Sequence, residues 1–412
     1  METGIFSSAK QAFVWIWLPG RSVPMLAGKI EKKSNRHFFS YDKAYLEQAG
    51  AISLSPFELP LEVRSFEPSG LHTIHSCLRD ASPDAWGRRV IATEYQSLMM
   101  DELDYMLLSG SNRIGALDFQ RSATEYVPRL SNVAQLAELL QAAEYIEKGM
   151  ELPKVLGQAL LFGTSIGGAR PKCLIENENK HFIAKFSLST DLYDIIKAEY
   201  IAMKLAKKIG LVVPDVFLKS VLGKNVLLVE RFDRVANSGN TTRKLMLSCL
   251  SLLELNELEA RYASYVDFAE IIRHKFKDSK KELEELYKRI VFNILIGNTD
   301  DHARNHAAFW DGLALSLTPV YDLCPQPRAG QEATQAMSIS GKQGNMSSLV
   351  NILSVCEKFF LSKGTARELI EDQIKIIENF WMPLCDEIDL PVIERKKLWG
   401  KSIFNPFCFY DF

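Results

Sequence analysis

The sequence predicts an α/β (α+β) protein, β-leaning as far as about residue 231 and mostly helical from about residue 245. Three observations carry that expectation. Aromatic and β-branched runs recur early, a glycine-rich turn introduces paired apolar runs in the middle, and apolar residues repeat at helical spacing late. A chain of 412 residues is too long for one ordinary domain and implies two or three, each able to bury its own core.

Taken in order, "FVWIWLPG" and "HFFSYDKAYL" have strand-like content, while "SPDAWGRRVIATEY" places Ser82 and Pro83 as a helix start. Residues 133–148, "VAQLAELLQAAEYIEK", carry apolar positions at helical spacing. "CLIENENKHFIAKFSL" is two apolar runs around a polar turn, the pattern of a β-hairpin. An amphipathic helix follows in "DLYDIIKAEYIAMKLAKKIG", closed by Gly210 at the position after the cap. "VVPDVFLKSV" and "KNVLLVERF" are two further strands, and "ELEELYKRIVFNILIG" is a helix with Leu283, Leu286, Ile290 and Ile294 on one face. "VANSGNTT" (235–242) and "GKQGNMSS" (341–348) are expected as flexible loops.

Composition excludes more than it assigns. With 47% hydrophobic residues, 24% charged residues and a net charge of −2, nothing demands a nucleic-acid or membrane partner. Seven scattered cysteines without a CxxC pair fit a reducing compartment and argue against a cysteine-built zinc site. The apolar run at residues 11–20 is short, ends at Pro19-Gly20 and lacks a cleavage pattern, so a cytoplasmic protein is expected.

The chemistry concentrates in "NILIGNTDDHARNHAAFW" (293–310), a polar insert between a helix-like and a strand-like run. Asp300 precedes Asn305 by five residues, and Asp322 follows in "PVYDL". A phosphoryl-transfer site needs a carboxylate to accept the hydroxyl proton and separate oxygen ligands for Mg²⁺, and this is the protein-kinase spacing of those groups. Two other readings compete. Asp300 and Asp301 are also suited to capping a turn after Gly297, and His302 with His306 could serve a metal-dependent hydrolase. A strand beginning at "NHAAFW" weakens the second, since it separates the two rings by roughly 13 Å.

Lys185 sits inside an apolar strand pattern, where an ammonium calls for an anion such as Glu199 or a ligand phosphate; the alternative is a lysine snorkelling at a strand edge. Before it, "TSIGGARPK" offers Gly167 and Gly168 for close backbone approach to phosphate and Lys172 as a second cation, although by pattern alone a bare turn serves as well. "LLVERFDR" puts Glu230 and Phe232 where a kinase hinge would meet adenine; taken alone it is an ordinary strand end.

With these residues in place, the chain resembles the HipA family of serine/threonine protein kinases, the toxin components of bacterial toxin–antitoxin pairs. "FSYDKAYL" and "SPDAWGRR" look like the family's N-terminal subdomain. "SIGGARPK", "FIAKF", "AEYIAMKLAKKIGLVVPD", "VERFDR", "NTDDHARN" and "LTPVYDL" look like its kinase core, in the family's order. The resemblance implies a bilobal protein-kinase-like fold, with an N-terminal subdomain over 1–130, an N-lobe over 131–231 and a helical C-lobe over 232–412. It also implies ATP and Mg²⁺ as cofactors.

By resemblance, Gly167, Gly168, Ala169, Arg170, Pro171 and Lys172 form the phosphate-covering loop, and Lys185 holds nucleotide phosphates. Glu230, Arg231 and Phe232 line the adenine site. Asp300 is the catalytic base, while His302, Ala303, Arg304 and Asn305 approach the nucleotide. Tyr321 and Asp322 complete the site, with Asn305 and Asp322 as Mg²⁺ ligands. Ser165 falls where the family places an autophosphorylated serine, and Thr164 is a second candidate. The sequence departs from several relatives in having Arg170-Pro171 for a Gln-Glu pair and Asp301 for a small residue; the spacing to Asn305 favours Asp300 as the base.

The resemblance further implies a protein substrate linked to translation, such as an aminoacyl-tRNA synthetase, with growth arrest as the outcome and self-inactivation at Ser165. A HipB-like antitoxin is the implied partner, with DNA reached only through it. The alternative function is a kinase-shaped binding module acting mainly with that antitoxin in transcriptional autoregulation.

Overall fold

The computed structural model describes residues 9–96, 100–130, 135–150, 153, 157, 160–161, 170–177, 180–237, 240–326, 330 and 332–412. The chain forms two compact units. The first comprises Met1–Leu188, Asp233–Leu247 and Trp310–Gly312; the second comprises Ser189–Phe232, Ser248–Phe309 and Leu313–Phe412. The architecture is the mixed α/β one expected, with antiparallel sheets and a largely helical late chain.

In the first unit, β1 (Gln11–Ile16), β2 (Met25–Lys33), β3 (Arg36–Tyr41), β4 (Ser65–Phe66) and β5 (Leu117–Gln120) make one sheet in the order β4-β3-β2-β1-β5. Ala12, Val14 and Ile16 alternate into the core with no exposure, the period-two signature of a packed face. Gly28 on β2 is required by space: a Cβ there would lie 2.2 Å from the Ser40 carbonyl and 2.8 Å from the Phe39 ring. The helix expected to start at Ser82 and Pro83 runs over Ala85–Tyr95, because Asp84 holds the extended backbone of a cap and Pro83 stays outside. The helix expected over 133–148 spans Leu136–Glu147.

Further along the first unit, β6 (Lys172–Asn177) and β7 (Lys180–Phe186) form the expected hairpin. "VANSGNTT" corrects the loop expectation. Its described part pairs as β10 (Arg234–Asn237) with β11 (Asn240–Arg243), a short antiparallel ladder. The segment is fastened to the first unit at its start, where the Gly115 N–H donates to Asp233 Oδ2 at 2.7 Å and Arg234 Nη1 donates to the Gly115 carbonyl at 2.9 Å.

The second unit opens with the helix Ile195–Lys208. Gly210 (φ +84°) donates to the Lys207 carbonyl and Leu211 to that of Ala206, a Schellman closure. β8 (Val216–Val221) and β9 (Lys224–Glu230) form a hairpin whose two turn residues, Leu222 and Gly223, both have positive φ, matching the strands' right-handed twist. Ile195, Ile196 and Tyr200 of the helix pack on Leu227 and Val229 of β9. The long helices Ser279–Ile296 and Lys363–Glu387 follow, and Leu283, Leu286, Ile290 and Ile294 are fully buried as their spacing predicted.

"GKQGNMSS" is also more ordered than expected. Asn351 Nδ2 donates to the Gly344 and Met346 carbonyls at 3.2 and 2.9 Å, and Gln335 Nε2 donates to Ser347 Oγ at 3.0 Å. The seven cysteines are buried free thiols, and no described helix is long and apolar enough to cross a membrane.

Candidate active site

The helix Ser279–Ile296 ends abruptly at Gly297, whose φ of +68° belongs to the left-handed region. A Cβ at Gly297 would stand 2.4 Å from the Ser402 carbonyl oxygen, so both conformation and space demand glycine. The chain then folds through tight turns over Asn298–His306 before entering β13 (Ala307–Trp310).

Within that turn the two adjacent aspartates have opposite fates. Asp300 is exposed, whereas Asp301 is 2% exposed. Asp301 Oδ2 receives Tyr265 Oη at 2.6 Å and Asn293 Nδ2 at 2.7 Å, and lies 2.9 Å from His306 Nε2. Burial and then the charge of Asp301 push the Tyr265 phenol well above its ordinary range, so it stays a donor. Asp301 is thus a buried anchor, while Asp300 belongs to the exposed surface of the same turn.

The residues around Asp300 are fixed by backbone as well as side chains. Asn305 Nδ2 donates to the Asp300 carbonyl at 3.1 Å, and the Asn305 N–H donates to the His302 carbonyl at 2.8 Å. Ala303 and His306 carbonyls accept from Leu250 and Cys249 N–H groups at 3.2 and 2.7 Å. Tyr321 Oη donates to the Arg304 carbonyl at 2.7 Å, and Arg304 Nη2 reaches Glu257 Oε1 at 2.7 Å. Asp322 has a left-handed φ of +61°, unusual for a residue with a side chain. Asn298 Nδ2 bridges Asn293 Oδ1 at 2.9 Å and the Asp322 carbonyl at 3.4 Å. Phe232 meets the Tyr321 ring at 5.9 Å and the Phe309 ring at 6.0 Å, which brings the end of the "VERF" motif to the same place. Glu230 is tied by its N–H to the Asp215 carbonyl at 2.8 Å, and Arg231 is buried.

Asn305 and Asp322 suit Mg²⁺ by donor chemistry. The Asn305 amide nitrogen is engaged by Asp300, which leaves its oxygen open to act as a ligand, and Asp322 could add a carboxylate; hard oxygen donors in small number are what Mg²⁺ takes beside nucleotide phosphates. The histidine-based alternative fits poorly. His306 Nε2 is turned to Asp301 and its ring stands against Tyr265 and Phe268 at 5.8 and 6.2 Å. Among the described residues no three His, Cys, Asp or Glu side chains gather as a metal cluster.

The first unit holds the other candidates. Lys172 and Lys185 are directly opposite each other across the β6–β7 ladder, and Lys172 is 7% exposed. Like charges facing one another across a ladder repel, and anionic charge beside them removes that penalty. The ladder is extended by the Phe186 N–H donating to the Pro171 carbonyl at 3.1 Å, and Trp86 Nε1 donates to the Lys172 carbonyl at 3.0 Å. Arg170 precedes this pair. Thr164, Ser165, Gly167, Gly168 and Ala169 lie outside the described residues.

Sequence reasoning missed Tyr265, Asn293, Asn298 and the anchoring role of Asp301. The available signal was Asn293, a polar residue on the buried face of an otherwise apolar helix.

Comparison with known proteins adds an independent line. Residues 164–381 match the HipA-like C-terminal domain, and residues 16–120 match the HipA N-terminal domain. The Serine/threonine-protein kinase toxin HipA of Shewanella oneidensis is 26% identical over 183 residues, covering 39% of this chain and 42% of that protein. Toxin YjjJ of Escherichia coli is 25% identical over 282 residues, covering 60% of this chain and 58% of that protein. The chain thus spans less than two thirds of either relative. A solved structure from Shewanella oneidensis, of a toxin–antitoxin system HipA, HipB and operator DNA complex, shares the fold with a TM-score of 0.70 at 18% identity, over 97% of this chain and 98% of that one.

Proposed function

The chain belongs to the HipA family, and from that premise we propose that it is an ATP- and Mg²⁺-dependent serine/threonine protein kinase. The observation that carries this reading is the split between the adjacent aspartates: Asp301 is buried and held, so Asp300 is presented to solvent from a fixed turn to which Asn305 is bonded. Bound ATP and Mg²⁺ supply the transferable phosphoryl group and its charge neutralisation.

In this reading Asp300 accepts the proton of a substrate serine or threonine hydroxyl as the oxygen attacks. Asn305 and Asp322 hold the metal. Lys172 and Lys185, which face each other across the β6–β7 ladder, bind phosphates together with residues 167–171. Glu230, Arg231 and Phe232 line the adenine site, His302 to Arg304 flank the nucleotide, and Tyr321 fixes the turn.

The substrate we propose is a cellular protein linked to translation, such as an aminoacyl-tRNA synthetase, whose modification arrests growth. Transfer to Ser165, or to Thr164 beside it, would add roughly −1.5 to −2 charges next to a site built to attract phosphates and so switch the enzyme off. A second reading is favoured by the neighbour solved with HipB and operator DNA. Here the chain acts mainly by binding a HipB-like antitoxin, touching DNA only through it, as its net charge of −2 accords with.

Incubation with labelled ATP and Mg²⁺ separates the two. The kinase reading expects label on Ser165 or on added protein, and expects Asp300→Ala to lower transfer by about 10²–10⁴-fold with ATP binding retained. Undiminished autophosphorylation in that variant would refute the role of Asp300.

A further inference from the structure

Asp300 has to meet a hydroxyl proton within hydrogen-bond reach, yet it is exposed and sits on a turn with no regular structure of its own. Its placement must come from what holds the turn. The next residue supplies that hold. Three donors from three separate elements converge on the single oxygen Asp301 Oδ2: Tyr265 begins the helix Tyr265–Lys275, Asn293 lies in the last turn of Ser279–Ile296, and His306 directly precedes β13. Tyr265 Oη also reaches the Asp301 carbonyl at 3.2 Å, clamping main chain and side chain together. The carboxylate cannot turn without breaking all of these bonds.

The same network reaches the second chemical residue. Asn293 passes the contact to Asn298, and Asn298 to the Asp322 carbonyl. Asn293, Asn298, Asp301 and His306 are each no more than 2% exposed. Among the described residues no lysine or arginine bonds Asp301, and its contact with His306 is an ion pair only when that histidine is protonated. A buried carboxylate of this kind is costly compared with an apolar side chain, and its cost is offset where it fixes a geometry that packing alone leaves loose.

We propose that Asp301 is a positioning residue for phosphate transfer, which through Tyr265, Asn293 and Asn298 holds the base Asp300 and the metal ligand Asp322 in one rigid frame. This inference rests on the kinase reading above. It assigns Asp301 no contact with substrate or metal; its effect is confined to the rate of the chemical step.

The test compares wild type, Asp301→Asn, Tyr265→Phe and the double variant as full-length proteins. ATP affinity is measured by calorimetry with Mg²⁺ and transfer by single-turnover labelling. Asp301→Asn is expected to slow transfer about 100-fold, the size of effect that small misplacement produces. Tyr265→Phe, which keeps the ring and loses one donor, is expected to slow it about tenfold. In both, the Kd for ATP should stay within about threefold of wild type, and the double variant should be no slower than Asp301→Asn, since both break one contact. A merely structural role would instead lower affinity and rate together. Wild-type rates in folded Asp301→Asn, or in Tyr265→Phe where the first variant does not fold, overturn the inference alone. A wild-type protein indifferent to ATP overturns the kinase reading first.

Discussion

Asp118 in the first unit and Asp301 in the second are both buried carboxylates, and the two are compensated in opposite ways. Asp118 Oδ1 meets Arg113 Nε at 2.7 Å and Arg129 Nη2 at 3.1 Å, so full cations face it. Burial alone would raise its carboxyl, but the two guanidinium groups draw it below the ordinary carboxylate value. Asp301 is held by a phenol, an amide and an imidazole. Charge pairing locks the first unit's scaffold, while directional donors around Asp301 fix the orientation of a turn. The lesson is that equal burial does not imply equal purpose; the partners distinguish a girder from a positioning device.

The comparison breaks most decisively at Asp118. Asp118→Ala would leave the Arg113 guanidinium, fully buried and already pushed down to about 10 by desolvation, without its nearest anion. Stranding one member of a buried pair costs about 3–5 kcal/mol. Chemical denaturation should show that loss, and the variant should lose ATP binding only where it unfolds. The contrasting Asp301→Asn variant should lose rate while keeping its fold.

His75 shows a third solution, in which a buried ionisable group is kept neutral. It is 2% exposed, and burial, reinforced by the charge of His72, holds it down to about 4 against an ordinary 6.5. The sign follows from proton counting. Between these two values the unfolded chain binds a proton that the folded chain does not, so stability is complete above pH 6.5 and is lost as pH falls towards 4. The full effect is about 3 kcal/mol. Urea midpoints measured from pH 7 to pH 4 should fall in wild type, and His75→Phe should flatten that slope.

How much of this was legible beforehand depends on the range over which each feature is encoded. The β6–β7 hairpin, the strands β8 and β9 and the helix ends at Gly210 and Gly297 were readable because pattern and punctuation are local. "VANSGNTT" was not, because each strand is only four residues, so turn-forming residues dominate its composition. "GKQGNMSS" gave no sign of order because the order comes from Asn351 and Gln335, outside the stretch. In the candidate site, residue types and the spacing to Asn305 pointed to Asp300, Asn305 and Asp322, but nothing local showed that Asp301 is buried while its neighbour is exposed. That distinction is made by Tyr265, 36 positions from Asp301, and by Asn293, eight away, whose convergence only folding creates.

The smallest expected effect sharpens the same comparison. Ser264 caps the helix that carries Tyr265, its side chain accepting from the Val266 and Asp267 N–H groups at 3.2 and 3.3 Å. Ser264→Ala removes that cap while leaving Tyr265, Asp301 and every bond between them, and should cost about 1 kcal/mol in thermal or chemical unfolding. If Asp301 works by orientation, a small loss of helix stability at this distance should leave the transfer rate within about twofold of wild type, because the donor's ring stays packed. A rate that instead falls in step with the melting temperature would mean that the turn answers to overall stability, and Asp301 would then belong with Asp118 as scaffold.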